Sequence, residues 1–195
     1  FCAGLDTANF EGMTQPGEGS LAAAGGDLMD RTHGDANLFQ HACMAWRRLP
    51  QPVIAALHGH CLGGGMQIAI GADVRIAAPD AKLSIMEMKW GLVPDMGGMT
   101  AFRHLVRGDV LRRLIFTAEV IDGRAAQAAG LVTELADDPR AAARALAARI
   151  AAASPAAMRA AKELILMTED EREADILMAE SRLQKTLIGG PEQRE

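Results

Sequence analysis

The sequence contains no tyrosine, and aromatic residues make up only 4% of its 195 residues. Aromatic platforms on which nucleic-acid bases stack are therefore not expected. Basic residues do not cluster, and the formal net charge is −5, so we expect no nucleic-acid partner. The three cysteines, Cys2, Cys43 and Cys61, are too few and too scattered for a disulfide framework or a zinc site. We interpret Cys2 and Cys61 as small apolar residues and not as nucleophiles, and we predict no metal site.

No apolar run is long enough to cross a bilayer, and no signal peptide is recognisable. We therefore expect no membrane partner and a cytoplasmic location, which also suits the low cysteine content. Hydrophobic residues (49%) and charged residues (23%) occur in the proportions of a globular protein. The sequence begins FCAGLD and ends IGGPEQRE, which leads us to expect that both ends of the fold are truncated.

The most informative stretch runs from Val53 to Gly71. Its first five residues form a continuous apolar run that predicts a buried strand, and a run of three glycines follows. Consecutive glycines destabilise a chain through backbone entropy, so they indicate a close approach of the backbone to another group. A helix beginning at about Gly64 would direct unpaired N–H groups at that group. Such donors bind an anion or stabilise an oxyanion.

The residues that flank the glycine run exclude two nucleotide-binding motifs. A phosphate-binding P-loop needs a lysine and a serine or threonine after its last glycine, but Met66 and Gln67 stand there. The dinucleotide-binding spacing Gly-x-Gly-x-x-Gly is absent as well. The remaining alternative is structural, in which small residues allow a tight contact between helix and strand.

Short strands, turns and helices alternate up to about residue 137. Residues 6–32 are rich in Gly, Ser and Asp and predict a loop or lid. Asp138-Pro139 and Ser154-Pro155 each predict an N-cap followed by proline at the first helical position. We therefore expect a core over residues 1–137 and a helical packing or assembly region over residues 138–195.

Five segments of the chain resemble the enoyl-CoA hydratase/isomerase (crotonase) superfamily. They are FCAGLD, HGHCLGGGMQIAIGADVRIAAPDAKL, MEMKWGLVPDMGG, VIDGRAAQAAGLV and SPAAMRAAKELI, in that order. The resemblance implies an α/β fold, a crotonase-like spiral of ββα units followed by a helical C-terminal trimerisation region. It implies that residues 1–137 lack the N-terminal part of that spiral. It also implies an acyl-CoA thioester substrate, no cofactor beyond that coenzyme A, and a homo-oligomer that is a trimer or a dimer of trimers.

The resemblance further implies an oxyanion hole for the thioester carbonyl. By motif matching, its two backbone N–H donors fall on Leu5 and Gly64. The residues that the same matching assigns to substrate binding are Ala3, Gly4, Asp6, Leu62, Gly63 and Trp90.

The acids of the family match this chain only in part. Hydratases of the family carry two glutamates, and the first matches Gln67, whose amide can hydrogen-bond a water but cannot transfer a proton at neutral pH. The second matches Glu87, for which the alternative is a surface acid. Asp95 matches an acid of the family's dienoyl-CoA isomerases. The alternative for Asp95 is an N-cap of a helix beginning at Gly97.

We therefore expect chemistry through a thioester enolate. Glu87 would be the principal acid/base, Asp95 a second acid or polar stabiliser, and Gln67 a group that positions water or substrate. The favoured reaction is double-bond isomerisation of an enoyl- or dienoyl-CoA. Hydration of a 2-enoyl-CoA is one alternative, and acyl-CoA binding without turnover is another.

Two further expectations concern side chains beyond the acids. Asp73 and Arg75 would form a structural pair at the sheet edge. A group of large apolar side chains would lie near the acyl pocket, where methionine suits varied chains. Its members are Met86, Met88, Trp90, Met96 and Met99.

Overall fold

The computed structural model describes residues 1–5 and 27–193. The predicted loop or lid over residues 6–32 lies mostly outside these ranges, and the predicted substrate-binding residue Asp6 lies outside them as well. Among the described residues, no helix combines the length and the apolarity needed to cross a membrane.

Helices and short strands alternate along the described chain. The α-helices are α1 (Leu38–Arg48), α2 (Gly64–Ile70), α3 (Met99–Leu105), α4 (Gly108–Thr117), α5 (Gly123–Ala128), α6 (Pro139–Ala151), α7 (Pro155–Met167) and α8 (Glu173–Leu187). The strands are β1 (Ile54–Leu57), β2 (His60–Leu62), β3 (Val74–Ala77), β4 (Lys82–Ser84), β5 (Ile121–Asp122) and β6 (Glu134–Leu135). Short 3₁₀-helices cover Glu87–Trp90 and Pro191–Gln193.

The strands form two small sheets between which the chain passes repeatedly. In the first sheet β1, β3 and β6 are parallel, and in the second β2 and β4 are parallel while β5 is antiparallel to β4. Because β1 leads directly into β2, and β3 leads through one turn into β4, each strand pair contributes one strand to each sheet. This repeated course, with α2 after the first pair, confirms the predicted α/β class.

The hydrophobic core draws on both sheets and on the helices that follow them. Helix α2 is embedded in it, because most of its residues are buried. The largest fully buried side chains include Leu57, Met66, Ile76 and Phe102, and Gln67 is the polar residue among them. A buried amide needs hydrogen-bond partners, so its surroundings bear on the site described below.

The helical region begins as predicted. Asp138 and Ser154 cap α6 and α7 through their side chains, and a proline follows each. Helix α6 packs against β1 and β3, so this region contacts the predicted core. The division between residues 137 and 138 stays a prediction.

The predicted pair between Asp73 and Arg75 is wrong, because the two side chains bind different partners. Asp73 Oδ2 accepts hydrogen bonds from the Val53 N–H and from Lys162 Nζ, both at 2.7 Å. The Arg75 guanidinium donates to backbone carbonyls, among them that of Leu131 at 2.7 Å. Lys162 therefore attaches α7 to the start of β3.

Candidate active site

The glycine run connects β2 to α2, which begins at Gly64 as predicted. Gly63 precedes the helix with φ of +53°, and its N–H donates to the Ser84 carbonyl at 2.9 Å. The Gly64 N–H lies in the first helical turn, where no intrahelical acceptor exists. No other acceptor contacts it within residues 1–5 and 27–193. Gly64 therefore carries an available backbone donor.

The glycines are required by close contacts of the turn. A Cβ on Gly65 would lie 2.7 Å from both the Cβ and the carbonyl oxygen of Cys2. A Cβ on Gly64 would lie 2.8 Å from Met96 Sδ. The structural alternative, in which a small residue allows a tight packing contact, thus holds for Gly65, which packs directly on residues 1–5. Gly64 is covered by the side chain of Met96.

Residues 1–5 lie alongside β2. The Cys2 N–H donates to the His60 carbonyl at 2.8 Å, and the Leu62 N–H donates to the Cys2 carbonyl at 3.0 Å. Gly4 has φ of +90°, and a Cβ there would lie 3.0 Å from the Leu62 carbonyl oxygen. Leu5 and Gly64 therefore lie at the same end of β2. The convergence of their N–H groups on one thioester oxygen stays a prediction.

Of the described residues assigned to substrate binding, Ala3, Gly4, Leu62 and Gly63 lie at this end of β2. Ala3 is exposed, and Leu62 and Gly4 are partly buried. Trp90 ends the 3₁₀-helix that begins at Glu87, is half exposed, and has Lys89 Nζ 5.3 Å from its ring centroid.

Glu87 is buried beside the glycine turn, which contradicts the alternative of a surface acid. Its Oε1 accepts a hydrogen bond from Gln67 Nε2 at 2.6 Å, and a Cβ on Gly63 would lie 3.7 Å from that oxygen. Its Oε2 is buried and has no hydrogen-bond partner among the described residues. A carboxylate oxygen that is buried and unpaired is available to accept a proton from a bound substrate.

Gln67 is fully buried and connects Glu87 to the turn before α3. Its Oε1 accepts from the Met96 N–H at 2.8 Å and from the Gly98 N–H at 3.3 Å. These backbone partners could not be identified from the sequence, where the glycines Gly97 and Gly98 were the only local signal. The predicted contact of Gln67 with water or substrate stays a prediction, because its partners in the structure are protein groups.

Asp95 lies on the same turn, next to Met96, and keeps part of its surface exposed to solvent. The alternative of an N-cap is wrong, because α3 begins at Met99 with Gly98 as its N-cap and no side-chain capping bond. Partial burial raises the pKa of the Asp95 carboxyl above its ordinary value. No hydrogen bond joins Asp95 directly to Glu87 in the part of the chain that the structure describes, so its catalytic role stays a prediction.

The predicted group of large apolar side chains divides between two places. Met86 lies beside Gly63, where an added Cβ would be 4.0 Å from Met86 Cβ. Met96 lies beside Gly64. Met88 and Met99 line a separate apolar groove of about 440 Å³. The other residues lining this groove are Val93, Pro94, Gly108, Leu111, Arg112, Ile115 and Phe116.

The buried cysteines are poor nucleophiles. Burial raises the pKa of the Cys43 thiol to about 11 and that of the Cys61 thiol to about 12. Both side chains are fully buried, which agrees with the interpretation of Cys61 as a small apolar residue. Cys2 is only partly buried.

Comparisons with known proteins relate the chain to one enzyme family. The family model described as enoyl-CoA hydratase/isomerase matches residues 1–195. The probable enoyl-CoA hydratase of Bacillus subtilis is 35% identical over 169 residues, which cover 85% of this chain and 60% of that protein. The mitochondrial Delta(3,5)-Delta(2,4)-dienoyl-CoA isomerase of Homo sapiens is 32% identical over 192 residues, which cover 87% of this chain and 58% of that protein. The chain thus spans about 60% of the length of these relatives.

Solved structures agree in fold as well. A Thermobifida fusca protein assigned as an enoyl-CoA hydratase, solved in complex with CoA, superposes with a TM-score of 0.73 at 34% identity, covering 76% of this chain and 59% of that one. DspI of Pseudomonas aeruginosa superposes with a TM-score of 0.76 at 34% identity, covering 80% of this chain and 61% of that one. The fold is that of the crotonase-like enzymes, and the chain belongs to the enoyl-CoA hydratase/isomerase family.

Proposed function

We propose that the protein isomerises a double bond of an enoyl- or dienoyl-CoA through a thioester enolate. The observation that carries this proposal is the state of Glu87, whose Oε2 is buried and unpaired among the described residues while Gln67 occupies its other oxygen. A single carboxylate oxygen suffices for moving a proton between two carbons. The relationship to a dienoyl-CoA isomerase supports this reaction, and the CoA complex of a structural relative supports a CoA thioester as substrate.

The backbone donors would stabilise the enolate. In the proposed complex the thioester oxygen lies between the N–H groups of Leu5 and Gly64, each worth about 3 kcal/mol by analogy with other oxyanion holes. The available Gly64 donor at the start of α2 supports this arrangement. Helix α2 also adds the positive end of its dipole, which favours negative charge on the oxygen.

Glu87 would then transfer the proton. With a 3-enoyl-CoA, Oε2 removes a proton from C2, and the electron pair moves onto the thioester oxygen. The resulting carboxyl returns the proton to C4 as the double bond shifts to C2–C3, so that atoms and charge balance. Asp95 would serve as a second acid or polar stabiliser when the substrate is a dienoyl-CoA.

Hydration is the second candidate function. Relatives named as probable enoyl-CoA hydratases in Bacillus subtilis and Mycobacterium leprae favour it. In that reaction the Glu87 carboxylate would activate water for addition to C3 of a 2-enoyl-CoA. Gln67 cannot supply the second proton transfer, because an amide does not ionise at neutral pH.

A substrate panel separates these functions. The protein is incubated with 2-enoyl-, 3-enoyl- and 3,5-dienoyl-CoA, and the products are resolved by chromatography. Isomerisation predicts conversion of the 3-enoyl- or 3,5-dienoyl-CoA and little formation of 3-hydroxyacyl-CoA. Rapid hydration of 2-enoyl-CoA alone would favour the second candidate. Binding without any product would leave an acyl-CoA-binding protein and would refute the proposed isomerisation.

We further propose a cytoplasmic homo-oligomer, a trimer or dimer of trimers, that needs no cofactor beyond the CoA of its substrate. Apolar side chains exposed on α7 and α8 support self-association: Ile165, Leu177 and Met178. Light scattering of the protein tests the assembly, and a monomer at micromolar concentration would refute it.

A further inference from the structure

Gln67 holds one oxygen of Glu87 and leaves the other unbound. The two side chains lie 20 residues apart in the sequence, yet Gln67 Nε2 donates to Glu87 Oε1 at 2.6 Å. Glu87 Oε2 has no such partner within the described residues. Among the described residues, one oxygen of the Glu87 carboxylate is therefore hydrogen-bonded and the other is not.

The orientation of the amide follows from its other contacts. The Met96 N–H and the Gly98 N–H both donate to one end of the Gln67 amide. A backbone N–H can only donate, so this end must be the carbonyl oxygen. The NH₂ group must then face Glu87, which accepts the hydrogen bond with Oε1.

The turn that supplies these two donors is itself fixed from the other side. Gly97 has φ of +85°, and a Cβ there would lie 3.0 Å from the Gln40 carbonyl oxygen and 3.2 Å from Met44 Cγ. Helix α1 thus packs against the turn opposite Gln67. Because Asp95 lies on this turn next to Met96, Gln67 connects the backbone that carries Asp95 to the side chain of Glu87.

We propose that Gln67 is a positioning residue that acts through Glu87 and does not itself touch the substrate. It makes Oε2 the reacting oxygen and sets Glu87 against the turn that carries Asp95. The complete burial of Gln67 excludes direct contact with solvent in this conformation. This inference rests on the proposed function, in which Glu87 transfers the proton.

The amide is suited to this role in a way that a carboxylate is not. A carboxylate in place of the amide would keep the acceptor for the Met96 and Gly98 N–H groups. It would also set two carboxylate oxygens against each other at the present distance of 2.6 Å. Two carboxyl groups this close cannot both ionise at neutral pH and must share a proton.

The test uses the full chain with two changes at one position and one control. Gln67→Met keeps the shape and removes both hydrogen-bonding ends, whereas Gln67→Glu keeps the acceptor and removes the donor. Met66→Leu is the control, because Met66 is fully buried in the same helix and has no hydrogen bond to Glu87. The measurements are kcat and KM on the best substrate of the panel, the pH–rate profile, and ¹³C NMR titration of the glutamate carboxyl groups, assigned with Glu87→Gln.

We expect Gln67→Met to lower kcat about tenfold to hundredfold with KM changed by less than about threefold, as loss of a hydrogen bond to a charged group predicts. In Gln67→Glu, the limb of the pH–rate profile on which the rate rises as the base loses its proton should move to higher pH. NMR should detect one proton shared by the two carboxyl groups at pH 7. Met66→Leu should leave kcat, the pH profile and the titration unchanged.

Three results would overturn the inference. Wild-type kcat in Gln67→Met, or an equal loss of kcat in Met66→Leu, would reduce Gln67 to a packing role. The third is an NMR titration of Gln67→Glu in which both carboxyl groups are fully ionised at pH 7. The titration needs no turnover, so it tests the inference even if the substrate panel finds no activity. A lack of activity in the panel would refute the proposed function but not the inference about Gln67.

Discussion

Lys162 and Asp73 form a hydrogen-bonded ion pair in which Nζ lies 2.7 Å from Oδ2, although the residues are 89 positions apart. Lys162 keeps only 6% of its side-chain surface accessible, and Asp73 keeps 30%. The ammonium also donates to the Gln51 carbonyl at 3.0 Å. The pair thus joins α7 to the segments before β1 and β3.

Lys162→Met is expected to lower the free energy of unfolding by about 2–4 kcal/mol. Removal of one partner leaves the other charge partly buried without compensation. The size of the effect is reduced by the solvent that still reaches Asp73. Urea unfolding measures the change. Arg182→Met is the matched control, since the ion pair of Arg182 with Glu163 is exposed on both sides and should contribute at most about 1 kcal/mol. Equal effects of the two changes on the free energy of unfolding would contradict a larger stabilisation by the buried pair of Lys162 and Asp73.

Gly65→Ala and Gly64→Ala should differ in how strongly they lower the free energy of unfolding. The added methyl of Gly65→Ala would meet the backbone of Cys2, so we expect a loss of about 1–3 kcal/mol in unfolding free energy together with loss of turnover. The methyl of Gly64→Ala would meet only the end of the flexible Met96 side chain. That change should lower turnover while stability falls by less than about 1 kcal/mol. Thermal melts with parallel assays test the contrast, and a Gly65→Ala protein of wild-type stability would contradict it.

Glu87→Gln should lower kcat by about 10²- to 10⁴-fold, because the amide cannot accept the substrate proton. Acyl-CoA binding should persist, since the substituted amide can still accept the hydrogen bond from Gln67. Steady-state rates and titration calorimetry with the product CoA ester measure the two effects. A fully active variant would rule out Glu87 as the acid/base.

Asp95→Asn should lower kcat by about tenfold and remove one ionisation from the acid limb of the pH–rate profile. Burial raises the pKa of Asp95, so this carboxyl gains its proton at a higher pH than an ordinary aspartate as the pH falls. Unfolding free energy at pH 7 should not drop, because Asp95 caps no helix. The exposed Asp80 provides the control, and Asp80→Asn should leave the profile unchanged. An identical profile in both variants would exclude a catalytic role of Asp95.

The buried thiols predict a loss of stability at alkaline pH. The ordinary thiol pKa is 9.0, and the folded values for Cys43 and Cys61 are raised to about 11 and about 12. Between pH 9 and these values the unfolded chain has lost the protons that the folded chain retains, so unfolding free energy decreases as pH rises. At pH 8 iodoacetamide should modify both thiols only after unfolding in urea. Rapid labelling of Cys61 in the folded protein would contradict their burial.

Elements with local signals were predictable. The apolar run before the glycines predicted β1, and the glycine run predicted the start of α2 at Gly64. Aspartate or serine followed by proline predicted the starts of α6 and α7, because such caps depend on neighbouring residues alone.

The contacts that organise the site were not predictable, because they join distant parts of the chain. Nothing in the sequence indicated that the partners of Gln67 are Glu87 and the turn 29–31 residues further on. The N-cap alternative for Asp95 required a helix that begins at Gly97. That residue adopts φ of +85°, which a right-handed helix cannot contain, so the helix begins only at Met99 and Asp95 has no capping role.

The bridge that Cys2 forms with β2 has a consequence for how the positions of the two proposed donors can vary. The bonds of Cys2 to His60 and Leu62 fix one register, and a slip by a single residue would turn every side chain of the segment to the opposite face. The nearest register that preserves the faces lies two residues away, about 6.6 Å along the strand. Leu5 can therefore approach Gly64 in only one alignment, so selection or engineering can keep or discard this arrangement but cannot tune it by small sliding movements.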